Sequence, residues 1–123
     1  MTDKPGPSDC IFCKIVRGEI PAKKVHEDDE VLAFHDVRPQ APVHLLIIPK
    51  AHVATLYDAG PEHEKALGRV LALAGRLARE AGATDGFRTI INTGRVGHQE
   101  VYHVHMHVLG GPEPLGPMLH RRK

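Results

Sequence analysis

His103-Val104-His105-Met106-His107-Val108, near the carboxyl end of a 123-residue chain, decides how the rest is read. Taken as a strand, it sends His103, His105 and His107 to one face and Tyr102, Val104, Met106 and Val108 to the other. Successive imidazoles then lie roughly 6.8 Å apart, and the outer two roughly 13 to 14 Å, at about 3.4 Å per residue. Metal–nitrogen bonds are only about 2.0 to 2.1 Å long, so three imidazoles spread in this way do not converge on one ion. The stretch predicts one packed face, one chemical face, and a division of labour among its histidines. A surface histidine tract would have no reason to keep its even positions apolar, and an affinity tag would be uninterrupted and terminal.

Working outward, the length suits one domain that buries its own core without disulfides. Hydrophobic residues make up 41% and charged residues 25%, and the formal charge of +1 provides no broad field for a nucleic acid duplex. Any nucleotide bound is expected to be small. Residues 1–9 are polar, with two prolines and a glycine, and lack the apolar segment of a signal peptide. No run approaches membrane-spanning length, so the expectation is a cytoplasmic protein with no membrane partner. Cys10 and Cys13 are the only cysteines. In a reducing compartment a C-x2-C pair points to metal binding or redox work.

Residues 1–9 read as a disordered N-terminus. Residues 10–16 have apolar spacing that suits a short helix, with Asp9 as cap and Gly18 as stop. Residues 24–27 and 31–36 read as a hairpin across the acidic run Glu27-Asp28-Asp29-Glu30, itself taken as a solvated turn. Residues 44–49, His-Leu-Leu-Ile-Ile-Pro, are nearly all apolar, as expected of a central strand covered on both faces. From residue 61 to about 83, Leu67, Val70, Leu71, Ala74, Leu77 and Ala78 recur at helical spacing. Pro61 suits the first turn and Gly82 the exit. Residues 87–92 and 101–109 complete the strands, and a glycine-containing loop lies between them. Strands outnumber helices and the connections are of hairpin length, which predicts an α+β fold: an antiparallel sheet with one long helix on a face.

With these residues in view, the chain resembles the histidine triad superfamily, whose signature is His-φ-His-φ-His-φ-φ with φ apolar. Here it is His103-Val104-His105-Met106-His107-Val108-Leu109. The likeness extends through the segments 34–44, Phe-His-Asp-Val-Arg-Pro-Gln-Ala-Pro-Val-His, and 48–52, Ile-Pro-Lys-Ala-His. It continues at Asn92-Thr93-Gly94 and Gln99-Glu100-Val101-Tyr102. Gly110-Gly111 and Pro114-Leu115-Gly116-Pro117 resemble the Hint branch, the purine nucleoside phosphoramidases. The likeness covers residues 10–118, with 119–123 left as a basic tail. It implies a five-stranded antiparallel sheet with one long and one short helix, paired into a homodimer with a continuous ten-stranded sheet.

The resemblance also implies an activity: hydrolysis of purine nucleoside 5′-phosphoramidates, and of aminoacyl-adenylate-type substrates, through a nucleotidyl-histidine. His105 would be the nucleophile, His107 would touch the phosphate or leaving group, and His44 would complete the phosphate environment. Imidazole suits this because its neutral form is populated near neutral pH. Asp36 resembles the carboxylate that accepts both ribose hydroxyls. Phe12, Ile15, Ile20, Phe34 and Val37 would wall the base, each passing equally well as core. Asn92 and Gln99, with the loop between them, would supply amide donors. Purine nucleotides such as AMP or GMP are the implied ligands, and no cofactor is required for the chemistry.

In this loop the chain departs from its relatives, which commonly show Gly-Gly-Gln and a small hydroxyl residue where it has Gly97-His98-Gln99 and Glu100. A histidine in place of glycine matters if the backbone needs positive φ. A carboxylate beside an anionic substrate is repulsive unless it turns away or meets an amine of the leaving group. Cys10, Cys13, His52 and His103 match the Cys2His2 set of zinc-binding members, implying a closed structural zinc site. Two other functions stay open: a dinucleoside polyphosphate hydrolase with the same nucleophile, and a nucleotide-binding interaction module.

Overall fold

The computed structural model describes residues 9–117 and residue 119. Apart from Asp9 and Leu119, the expected disordered N-terminus and basic tail lie outside the described residues. The elements run α1 (Ile11–Val16), β1 (Lys24–Glu27), β2 (Val31–His35), β3 (Val43–Pro49), α2 (Glu64–Glu80), β4 (Arg88–Ile90) and β5 (Met106–Gly110). Five strands form one sheet in the order β1-β2-β3-β5-β4, with every neighbouring pair antiparallel. This is the α+β arrangement expected from the strand and helix signals.

The middle strand, β3, is buried along its whole length. Its alternate residues feed two cores. Val43, Leu45 and Ile47 join Val31, Ala33, Met106 and Val108 beneath α2, which contributes Val70, Leu73, Ala74, Leu77 and Ala78. On the other face Leu46 and Ile48 join Leu32 and Phe34 beneath α1, which contributes Phe12 and Ile15. His44 shares the parity of Leu46 and Ile48, so the sheet delivers it to the α1 side, as period two requires. Two-sided burial explains why this strand has almost no polar residue.

Several expectations are corrected. The long helix begins at Glu64, after a 3-10 turn at Pro61–His63. Leu71, expected in its apolar stripe, is 59% exposed, while Ala66 and Leu73 are buried. Each residue turns the helix by about 100°, which carries Leu71 off the line that holds Val70, Ala74 and Leu77. The first helix is capped by Cys10, not Asp9, and the Cys10 sulfur accepts from the Cys13 amide. The strand expected over 87–92 is confined to Arg88–Ile90.

The histidine strand is also shorter than expected. β5 starts at Met106, so of the triad only His107 lies within the ladder. Upstream, the Val104 amide bonds to the Val53 carbonyl at 2.7 Å and the His103 amide to the Val101 carbonyl at 2.9 Å, which takes 101–105 out of register with β3. Tyr102, expected on the packed face, is 47% exposed as a result. The alternation nevertheless continues past the strand end: Val104, Met106 and Val108 are buried, and His105 and His107 open on the α1 side.

The acidic hairpin turn is not simply solvated. Asp28 Oδ1 accepts the amides of Glu30 and Val31 at 2.8 and 3.1 Å. Its Oδ2 receives His26 Nε2 at 2.6 Å and Arg69 Nε of α2 at 2.9 Å. Arg76, two turns along α2, donates to His26 Nδ1 at 3.1 Å. The turn is thereby tied to the long helix.

Candidate active site and metal cluster

A cleft of about 670 Å³ opens on the α1 face of the sheet. Phe12, Ile15 and Ile20 form one wall, with Phe34, Asp36, Val37 and Arg38 from the end of β2 and the loop after it. His44 and His107 line it from the sheet and His105 from the segment just before β5, with Asn92, His98 and Glu100 on the loop opposite. Three histidines expected to act on phosphate therefore share one cavity with the expected base wall, Asp36 and Asn92. Val37 reaches the cleft only at its mouth, being 93% exposed.

Main-chain groups set the proton position on His105 and His44, and His44 sets it on His107. The His105 Nδ1–H donates to the His103 carbonyl at 2.8 Å, leaving Nε2 with its lone pair. Burial pushes the pKa of His105 down from the ordinary imidazole value, against the opposing pull of that carbonyl and of the Asp36 and Glu100 charges. The ring is kept neutral, as a nucleophile requires. His44 is fixed differently: its Nδ1 accepts the Gln40 amide at 2.9 Å, so the proton of the neutral ring is on Nε2. That Nε2–H lies 2.9 Å from His107 Nδ1 and 3.4 Å from Asp36 Oδ2. Accepting it, His107 carries its own proton on Nε2. Burial lowers the pKa of both rings; for His107 the neighbouring His105 and His44 add to the effect, and Asp36 opposes it at each.

Phe12 of α1 packs edge-on against His105, with ring centroids 5.1 Å apart, and against His103, at 5.9 Å. It separates the cleft from a second cluster. There Cys10, Cys13, His52 and His103 bring one ligand atom each to within 4.8 Å of one another. The sulfur of Cys13 lies 3.2 Å from His52 Nδ1 and 3.5 Å from His103 Nδ1, and that of Cys10 lies 3.5 Å from His103 Nδ1. Tetrahedral zinc, with bonds of about 2.3 Å to sulfur and 2.0–2.1 Å to nitrogen, spaces such atoms roughly 3.6 Å apart. The His103 Nε2–H donates to the Pro49 carbonyl at 2.8 Å, leaving Nδ1 turned to the sulfurs as a ligand lone pair. Burial takes the His103 pKa down to about 4, and burial with the adjacent Cys10 pushes the Cys13 thiol up to about 12. These residues fit a metal: neutral imidazole nitrogens and thiols that a bound cation would deprotonate.

Asp36, His44 and His107 also lie within 4.8 Å of one another. They suit a metal poorly. The Gln40 amide occupies His44 Nδ1, so an ion on Nε2 would require an imidazolate. The three residues read better as a hydrogen-bonded relay.

Gln99 corrects an expectation. It does not line the cleft; its side chain is buried and spent on main chain, accepting from the Gly94 amide at 2.9 Å and donating to the Ala54 and Val101 carbonyls at 2.7 and 3.0 Å. It shapes the loop instead of offering its amide to a ligand. Gly97 completes that shape, since a Cβ there would come within 2.5 Å of the Thr93 carbonyl oxygen. Two contributions were not anticipated, the Gln40 amide and the Pro49 carbonyl. Both are main-chain groups, which carry no signal in a residue pattern.

The HIT domain family model matches residues 17–113. The chain is 56% identical over 110 residues to the purine nucleoside phosphoramidase of Escherichia coli strain K12, covering 89% of this chain and 92% of that protein. Among solved structures it is similar to a HIT family hydrolase from Legionella pneumophila Philadelphia 1, at 50% identity and a TM-score of 0.81, covering 85% of this chain and 95% of that one. A histidine triad protein from Clostridium difficile gives 43% identity and a TM-score of 0.84, covering 91% and 98%.

Proposed function

The chain belongs to the HIT domain family, and on that premise we propose that it hydrolyses purine nucleoside 5′-phosphoramidates through a nucleotidyl-His105 intermediate. The observation that carries this reading is the tautomer of His105. Its Nδ1–H is held by the His103 carbonyl, so the Nε2 lone pair belongs to the face that lines the cleft.

In the first step His105 Nε2 bonds to the α-phosphorus as the P–N bond breaks, and the departing amine, hydrogen-bonded by His107 Nε2–H, takes up a proton from water. In the second, water attacks phosphorus, the Nε2–P bond breaks, and the proton lost by the attacking water passes to solvent, balancing the one taken up by the amine and releasing a nucleoside monophosphate. Splitting one displacement into two lowers each barrier. His44 supports this by donating to His107 Nδ1, which keeps the His107 proton on the outward nitrogen. The apolar wall of Phe12, Ile15, Ile20 and Phe34 suits a purine, and Asp36 keeps acceptor capacity for ribose hydroxyls beyond its bond from the Arg38 amide at 2.7 Å.

Zinc is the metal that the Cys2His2 donor set favours. Bound there, it would supply a structural crosslink, with no part in the chemistry. A cytoplasmic homodimer joined at the β4 edge, with 10–118 as its single domain, completes the reading.

The test compares steady-state turnover of adenosine 5′-phosphoramidate and a diadenosine polyphosphate by the wild type and His105→Ala. Preference for the phosphoramidate, with the variant at least about 10³-fold slower, is expected for loss of a covalent nucleophile. A preferred polyphosphate would move the reading to dinucleoside polyphosphate hydrolysis. No turnover of either would refute it and leave a nucleotide-binding interaction module.

A further inference from the structure

His98 has φ of +62° and is the only residue other than glycine with positive φ among the described residues. The loop imposes this conformation. Gln99 ties 94 to 99 through the Gly94 amide, the Gln99 amide bonds back to the Gly94 carbonyl at 2.9 Å, and Gly97 lies against Thr93. A side chain in the left-handed region is strained where glycine would not be, and such strain persists only where the surroundings over-determine it. Packing does not compensate, because the His98 side chain is 87% exposed. The residue nevertheless lines the cleft, with its Nε2 3.4 Å from the Glu100 carboxylate.

The cleft gives that contact a purpose. Among the described residues lining it, Asp36 and Glu100 are the carboxylates and Arg38 the only lysine or arginine. A site meant for an anionic phosphate therefore has a net negative fixed charge unless a histidine in its protonated form offsets it. Glu100 lies near enough to the reacting rings for its charge to act on both His105 and His107. By itself it would favour cationic leaving groups and repel anionic ones.

We propose that His98 is a specificity-determining residue which discharges Glu100 at the leaving-group end of the cleft, so that neutral and anionic amines are accepted beside cationic ones. The inference rests on the phosphoramidase reading above. A purely structural role for His98 would alter all substrates alike, whereas charge compensation alters their ratio.

The experiment uses adenosine 5′-phosphoramidates of three amines of equal length, ending in ammonium, hydroxyl or carboxylate. Their kcat/KM values are measured for the wild type, His98→Gly, Glu100→Gln and the double variant. His98→Gly is expected to raise the cationic-to-anionic ratio about three- to tenfold, the size of one exposed charge contact. Glu100→Gln, which leaves the His98 charge uncompensated, lowers the ratio, and the double variant returns it toward the wild-type value because the pair is again without net charge. The Tm of His98→Gly should equal or exceed that of the wild type, since strain is relieved, and His98→Asn, which tolerates positive φ, should shift the ratio in the same direction. A ratio unmoved by His98→Gly, or a double variant that stays at the Glu100→Gln ratio, overturns the inference while leaving the phosphoramidase reading intact. A wild type that turns over none of the three overturns both.

Discussion

Each ring in the triad region is assigned its task by one neighbouring group. His103 gives its proton to the Pro49 carbonyl and turns a lone pair to the cysteines, whereas His105 gives its proton to the His103 carbonyl and turns a lone pair to the cleft. Two residues apart, identical side chains are thus disposed differently, and the proposed reading makes one a metal ligand and the other a nucleophile. The same reasoning applies to Gln99, whose three side-chain bonds hold the loop that presents Asn92, His98 and Glu100. Gln99→Leu is expected to destabilise the fold by about 1–3 kcal/mol, the cost of leaving buried main-chain groups unpaired. Activity should fall through loop disorder. Urea unfolding with parallel kinetics checks this, and unchanged stability would show that the loop holds its shape without the amide.

At the scale of elements, the contact between the β1–β2 turn and α2 depends on Asp28. The bond from His26, with the Glu30 and Val31 amides and Arg69, holds its carboxyl well below the usual carboxylate range. A carboxylate with a lowered folded pKa stabilises fully above its unfolded value, about 3.9, and loses that contribution as pH falls toward the folded value. Asp28→Asn should therefore cost about 1–3 kcal/mol at neutral pH, with a deficit that shrinks below about pH 4 as the wild type loses its own advantage. Thermal melts of both proteins from pH 7 to pH 2 show it; parallel curves throughout would place the stabilisation elsewhere. In the core of α2, the burial of Leu73 makes Leu73→Ala a control of known size, about 2–5 kcal/mol, with no expected pH dependence.

Across the whole molecule, the Cys2His2 cluster links residues far apart in the chain. Cys10 and His103 are separated by 93 positions and meet within 3.5 Å. Zinc bound there should raise the Tm in proportion to its affinity for the native state alone. Protein purified without chelator is expected to contain equimolar zinc, and Cys13→Ser to lose it and melt earlier. A melting temperature indifferent to both chelator and substitution would remove the structural role. The β4 edge makes a second prediction. Among the described residues β4 pairs only with β5, and Leu71 and Phe87 are large apolar residues left 59% and 40% exposed. A partner covering that edge and those residues would suppress open-edge association. Sedimentation should give a dimer for the wild type, with Leu71→Glu and Phe87→Glu together shifting it to monomer; a monomeric wild type would end the proposal.

Local pattern was enough for the elements. Period two placed the triad opposite its apolar neighbours, the apolar run at 44–49 marked the middle strand, and helical spacing located α2, because these are properties of adjacent residues. The same spacing argument, that the triad could not serve one ion, anticipated a division of labour among its histidines, and the resemblance grouped their partners into two sites. Tertiary structure decided what depends on distant main chain: the end of β5 at Met106, the turning of Gln99 into its loop, the left-handed His98, and the proton position on every ring. Those outcomes depend on carbonyls and amides such as Pro49, Val53, Ala54 and Gln40, groups that nearly every residue type carries and that no side-chain pattern reports.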